Sequence, residues 1–145
     1  MKQTINIISF MKNKIIPKRT SVFLFLSFAS FLIVIIFLRN NNLANSFFNL
    51  LALVPYYDKI AHFFLMGILA FLAVTSLIPI LPYPKSKSTT IVLGTLITII
   101  ALEECSQIFI ATRSFSLADF ACDCLGVASF GFYGHCVASK QAQSK

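Results

Sequence analysis

Charge is what this chain has least of. Only 12% of its 145 residues are charged, and only five residues in all are acidic. A soluble domain of this size could not hide the apolar surface that remains, so the shortage excludes that class. Trp is absent while Phe occurs 16 times, which suits packing against lipid and carries no chemistry of its own. No nucleophile elbow, phosphate loop or zinc signature occurs, so a familiar hydrolase class is unsupported. The net charge is +7, yet no basic patch interleaved with stacking aromatics lies outside the apolar runs. Nucleic acid is therefore not an expected partner.

What is present is hydrophobic: 57% of the residues, with a mean hydropathy of +0.83. Four apolar runs, at about 21–38, 59–81, 90–111 and 116–138, each approach the roughly 20 residues needed to cross the hydrocarbon core. The second ends in a proline cluster, Pro79, Pro82 and Pro84. The expected fold is all-α, a polytopic membrane bundle of four transmembrane helices. The stretch LANSFFNLLALVPYY between the first two runs is too short to span and is expected to be interfacial or re-entrant. The organisation is then a basic segment over 1–20, a transmembrane domain over 21–138 and a short tail over 139–145.

Orientation follows from the basic residues. Lys2, Lys12, Lys14, Lys18, Arg19, Lys85, Lys87, Lys140 and Lys145 fall on one side if the helices alternate, against Arg39, Lys59 and Arg113 on the other. The positive-inside rule places both termini in the cytoplasm, with the basic residues facing anionic headgroups. The first run is longer than a cleaved signal's apolar region, which favours an uncleaved anchor. Cys105, Cys122, Cys124 and Cys136 all lie in expected helices and read as packing residues. Cys122 and Cys124, two apart, point about 200° away from each other and make no metal clip. A disulfide from Cys105 to the fourth helix stays open as an alternative.

Ionisable groups inside such runs are expensive, and Asp58, His62, Glu104, Asp119 and Asp123 all fall toward the outer end. Asp58 is at the rim of the second helix, and His62 lies one turn below it. Glu104 and Gln107 share a face of the third helix, Arg113 tops the following loop, and Asp123 sits one turn below Asp119. By rise per residue, Glu104 and Asp123 lie about 10 Å below their helix ends. Bland readings stand beside these. Asp58 is a natural N-cap, and Ser116 with Asp119 has the form of a capping box. Lys59 and Arg113 have the length of interface anchors, and His62 that of a packing histidine. Glu104 and Asp123 are open to pairing with Arg113 or His62 only to hold the bundle together. Glu103 is expected on a different face from Glu104.

The pattern Asp58-Lys59-x-x-His62-Phe63, then Glu104-x-x-Gln107, Arg113, Asp119 and Gly126 resembles the VanZ-like family of small bacterial membrane proteins. The resemblance runs from about Pro55 to Gly134, in two separated blocks. One position departs: Asp123 stands where the family usually has asparagine. The resemblance implies an envelope-associated membrane protein, the family's namesake being an accessory factor in teicoplanin-type glycopeptide resistance. In that role Glu104, His62, Asp119 and Asp123 are the expected proton-transfer groups, and Arg113, Lys59, Gln107 and Asp58 the expected substrate-binding groups. The alternatives are an accessory or scaffold protein, in which a partner helix docks on Ala118, Cys122 and Gly126, and a small proton-coupled transporter. Against the last, the inner halves of the helices are nearly all apolar. A metal held by His62, Glu104 and Asp119 or Asp123 is chemically reasonable, but no second histidine supports it, and neither a metal nor a cofactor is assigned. Expected partners are membrane lipids, a lipid-linked or envelope substrate, and a second copy or a partner membrane protein.

Overall fold

The computed structural model describes residues 18–110 and 115–143. Lys2, Lys12, Lys14, Arg113 and Lys145 lie outside them. The described residues form helix α1 (Lys18–Asn40), a short helix α2 (Asn45–Leu51), α3 (Tyr57–Leu77), α4 (Lys85–Ser106), a 3₁₀ turn (Gln107–Phe109) and α5 (Leu117–Gln143). Four of these, α1, α3, α4 with its 3₁₀ turn, and α5, are long and apolar enough to cross a membrane. The chain therefore has the make-up of a multi-pass membrane protein. Helices are the natural outcome, because in hydrocarbon every backbone N–H and C=O must find its partner within the segment.

The ends of the helices shift from the expected runs for local reasons. Helix α3 stops at Leu77 rather than 81: Ile78 still has helical backbone, but Pro79 has no N–H to give the carbonyl four residues back and its ring crowds that turn. Pro84, extended at φ −52°, ψ 144°, opens α4, so Lys85 and Lys87 lie in its first turn rather than between helices. Cations there oppose the helix dipole. Each finds compensation: Lys85 Nζ donates to the Ser139 carbonyl at 3.3 Å, and Lys87 sits 4.8 Å over the Tyr83 ring. The stretch between α1 and α3 yields only the seven-residue α2, with no buried residue. Left-handed backbone at Asn42, Ala44 and Tyr56 brackets it.

The core lies between α3 and α5. Small residues on α3 (Gly67, Ala70, Ala73) and on α5 (Gly126, Gly134) let the two backbones approach. A Cβ on Gly126 would overlap the Phe63 carbonyl oxygen, and one on Gly67 would meet the Phe130 ring at 2.8 Å. Gly126 is thus covered by α3 of the same chain and is not open to a foreign helix, which corrects the docking stripe expected there. Val92, Leu96 and Ile100 on α4 complete the cluster. Helix α1 is peripheral: Leu32 alone of residues 19–40 is buried. Two polar contacts among the described residues join it to α3, Ser76 Oγ donating to the Ser21 carbonyl at 2.8 Å and Arg39 meeting Asp58 at 3.1 Å.

Candidate functional site in the polar layer at one end of the bundle

Antiparallel packing brings the C-terminal ends of α1 and α4 beside the N-terminal ends of α3 and α5. All five carboxylates of the chain, Asp58, Glu103, Glu104, Asp119 and Asp123, lie in this one layer. Glu104, Asp119 and Asp123 are buried, as is Gln107. Carboxylates taken this far from water need cations, donors or protons beside them.

Helix α3 supplies three of the partners. Asp58 is not the N-cap of α3; Tyr56 occupies that position, and Asp58, in the first turn, accepts from Arg39 Nη1 at 3.1 Å. Lys59 Nζ donates to Asp119 Oδ1 at 3.0 Å, so its ammonium is matched within the chain instead of reaching for headgroups. One turn deeper, the His62 Nδ1–H donates to both oxygens of Asp123, at 3.0 and 3.1 Å. A carboxylate on Nδ1 fixes the ring and its tautomer, leaving Nε2 as the atom for a proton or a ligand.

The other side of the layer is a junction between α4 and α5. Gln107 Nε2 donates to Glu104 Oε2 and to Glu103 Oε2, each at 3.0 Å, using the i−3 and i−4 neighbours that face it on a helix. The Ser116 backbone N–H donates to Glu104 Oε1 at 2.7 Å. Ser116 Oγ in turn accepts the Asp119 N–H at 3.2 Å. The capping box expected from Ser116 and Asp119 is therefore half formed: Ser116 caps, but its own N–H goes to Glu104, which frees the Asp119 carboxylate for Lys59. Both Glu104 oxygens are occupied and the residue is 1% exposed. It does not pair with His62; the alternative of a pair with Arg113 falls outside the described residues.

Seven of the eight expected site residues thus share one layer: Asp58, Lys59, His62, Glu104, Gln107, Asp119 and Asp123. Two members were not expected. Arg39 reads in sequence only as the basic flank of a long apolar run. Glu103 was assigned to another face, yet it shares Gln107 with Glu104, and its Oε1 is buried without a hydrogen-bond partner. The i,i+4 spacing of Glu103 to Gln107 was the signal available for it.

Above the layer, a cavity of about 260 Å³ is walled by Asn45, Phe48 and Asn49 of α2 with Tyr57, Asp58, Gln107 and Asp119. Asp58, His62 and Asp119 offer one ligand atom each within 4.8 Å of one another. The two carboxylates already hold Arg39 and Lys59. As it stands the set is an ion-pair network. All four cysteines are free, and Cys105 is exposed, so the disulfide alternative is not formed.

At the opposite end of the bundle, Thr89 Oγ1 lies 2.7 Å from His135 Nδ1, and Ser139 Oγ lies 3.5 Å from Nε2. Ala70, Ala73, Val74 and Val127 belong to the apolar core cluster between the two helices that carry most of both polar groups. Compared with known proteins, the chain matches no family model, no curated protein and no solved structure.

Proposed function

We propose that this chain is a VanZ-like integral membrane protein of the bacterial cell envelope. In this reading both termini are cytoplasmic, the polar layer lies in the outer leaflet, and it binds or modifies a lipid-linked or envelope species. The observation that supports it most is the convergence of Asp58, Lys59, His62, Gln107 and Asp119 at one end of four helices, beside an open polar cavity. Ionisable groups are expensive at such depth, and a layer that only packed helices would need far fewer of them. His62, oriented by Asp123, is the group suited to accept or donate a proton at Nε2; Asp58, Gln107 and Asp119 line the space where a bound group would sit. Teicoplanin-type resistance is the associated phenotype under this reading. Substituting His62→Ala and Asp58→Asn and measuring teicoplanin susceptibility together with membrane abundance tests it: lost resistance at unchanged abundance supports a site, and lost abundance supports packing.

A second reading, a non-enzymatic accessory or scaffold protein, is favoured by one specific observation. Both oxygens of Glu104 are committed to Gln107 and Ser116, so this carboxylate acts as a fastener between α4 and α5. The two readings divide the layer: Glu104 positions, while Asp58, His62 and Asp119 face the cavity or groove beside them.

A further inference from the structure

The polar cavity does not end in a closed wall. It shares Arg39, Phe48, Tyr57 and Asp58 with an apolar groove of about 240 Å³ between α1, α2 and α3. That groove in turn shares Leu32, Ile36, Met66 and Glu103 with a second apolar space of about 260 Å³ that reaches Phe25 and Ile99. The three spaces adjoin one another through these shared walls, polar at one end and apolar for the rest. Along α1 they extend from Arg39 to Phe25, about 21 Å at the helical rise. A single leaflet of hydrocarbon is about 15 Å, half of the full core, so together the spaces are long enough for one lipid chain.

The head end has a chemistry of its own. Its two described cations are already matched, Arg39 by Asp58 and Lys59 by Asp119, at 3.1 and 3.0 Å. An anionic head would add charge to a layer where five carboxylates already meet these two cations and His62, itself held by Asp123, so that no described cation is left over to neutralise it. A neutral, hydroxyl-rich head fits the walls better. Hydroxyls donate to the Asp58 and Asp119 oxygens and accept from the amides of Asn45 and Asn49, while Phe48 and Tyr57 offer ring faces to the carbon side of a sugar. Where the two apolar spaces meet, Glu103 Oε1 is buried with no partner, an omission that costs stability until a donor arrives. A hydroxyl or amide N–H on the lipid below its head would supply it.

We propose that the cavity and groove form one binding site for a neutral sugar-headed lipid, its head among Asn45, Asn49 and Asp58 and its chain against Ile36 and Met66. This rests on the reading of the polar layer as a binding site and names the ligand class for it. The test uses the full chain in nanodiscs of phosphatidylethanolamine and phosphatidylglycerol, photolabelled with an alkyl glucoside carrying a chain diazirine, or with the alkyl phosphate of the same chain. The glucoside is expected to label peptides containing Ile36 and Met66 about tenfold more than the phosphate, the advantage of one or two head hydrogen bonds. Ile36→Trp or Met66→Trp should suppress that labelling, and Asn49→Leu should erase the preference between heads. The two groove variants guard against a fold defect in either, with thermal unfolding as the check. Preference for the phosphate probe overturns the neutral-head assignment while leaving a binding site. Labelling by both probes that is equal and indifferent to the Trp variants overturns the binding site as well, since the groove then holds only bulk lipid.

Discussion

Glu104 Oε1 accepts the backbone N–H of Ser116 across 2.7 Å, so a carboxylate buried near the end of α4 completes the cap of α5. The bond explains why a carboxylate persists in so buried a position. It joins two membrane-spanning helices whose connecting residues include Arg113, and it leaves Asp119 free to meet Lys59.

From that geometry Glu104→Gln is expected to destabilise the protein by about 1–3 kcal/mol, because the amide group of the new residue meets either the Ser116 N–H or the Gln107 amide with a donor against a donor. Ser116→Ala removes only the cap to Asp119 and should cost about 1 kcal/mol. Thermal unfolding of the detergent-solubilised protein measures both. Equal and negligible shifts would contradict the fastener role.

The bond from His62 to Asp123 says what a change at Asp123 should do. Asp123→Asn keeps one acceptor for the His62 Nδ1–H and should preserve membrane abundance. Asp123→Ala leaves that donor buried and unpaired, at a cost of about 1–3 kcal/mol. The check is abundance and thermal midpoint of the two variants side by side; an alanine variant as stable as the asparagine one would remove the bond from the account.

Gly126 and Gly94 form a matched pair. A methyl group on Gly126 collides with the Phe63 backbone, whereas one on Gly94 meets nothing within 4 Å. Gly126→Ala should destabilise by about 1–3 kcal/mol or more, since backbone on α3 must move. Gly94→Ala should be neutral or stabilising by up to about 1 kcal/mol, through helix propensity alone. Comparing their melting midpoints tests the close approach of α3 and α5.

Orientation is open to a direct experiment. With cytoplasmic termini, a green fluorescent protein fused after Lys145 should fluoresce and an alkaline phosphatase there should be inactive. The reverse pattern would put the polar layer on the cytoplasmic side and remove the outer-leaflet proposal.

Much of the architecture was legible because lipid simplifies the code: an apolar run of sufficient length is a helix, and a carboxylate within it stands out. Asp58, Glu104, Asp119 and Asp123, which share the polar layer, stood out that way. What the sequence hid are relationships between elements. Arg39 follows a run with no other charge, and nothing local indicates that it closes on Asp58, 19 positions later. Asp58 has the chemistry of a cap, but the left-handed Tyr56 starts the helix ahead of it. Glu103 and Glu104 are adjacent and diverge on a helical wheel, yet a long Gln107 side chain reaches both. Half of the capping box was legible; that Glu104 would supply its other half was not, because the partner comes from a different helix.

The central claim is that the polar layer and its cavity bind a lipid rather than merely holding helices together. The most direct measurement is mass spectrometry of the lipids that co-purify with the wild-type protein, compared with Asn49→Leu and Asp58→Asn variants purified alongside. A sugar-headed lipid is expected to be enriched over the bulk membrane in the wild type and lost from both variants at equal protein yield. Lipid profiles that match the bulk membrane in all three would contradict it.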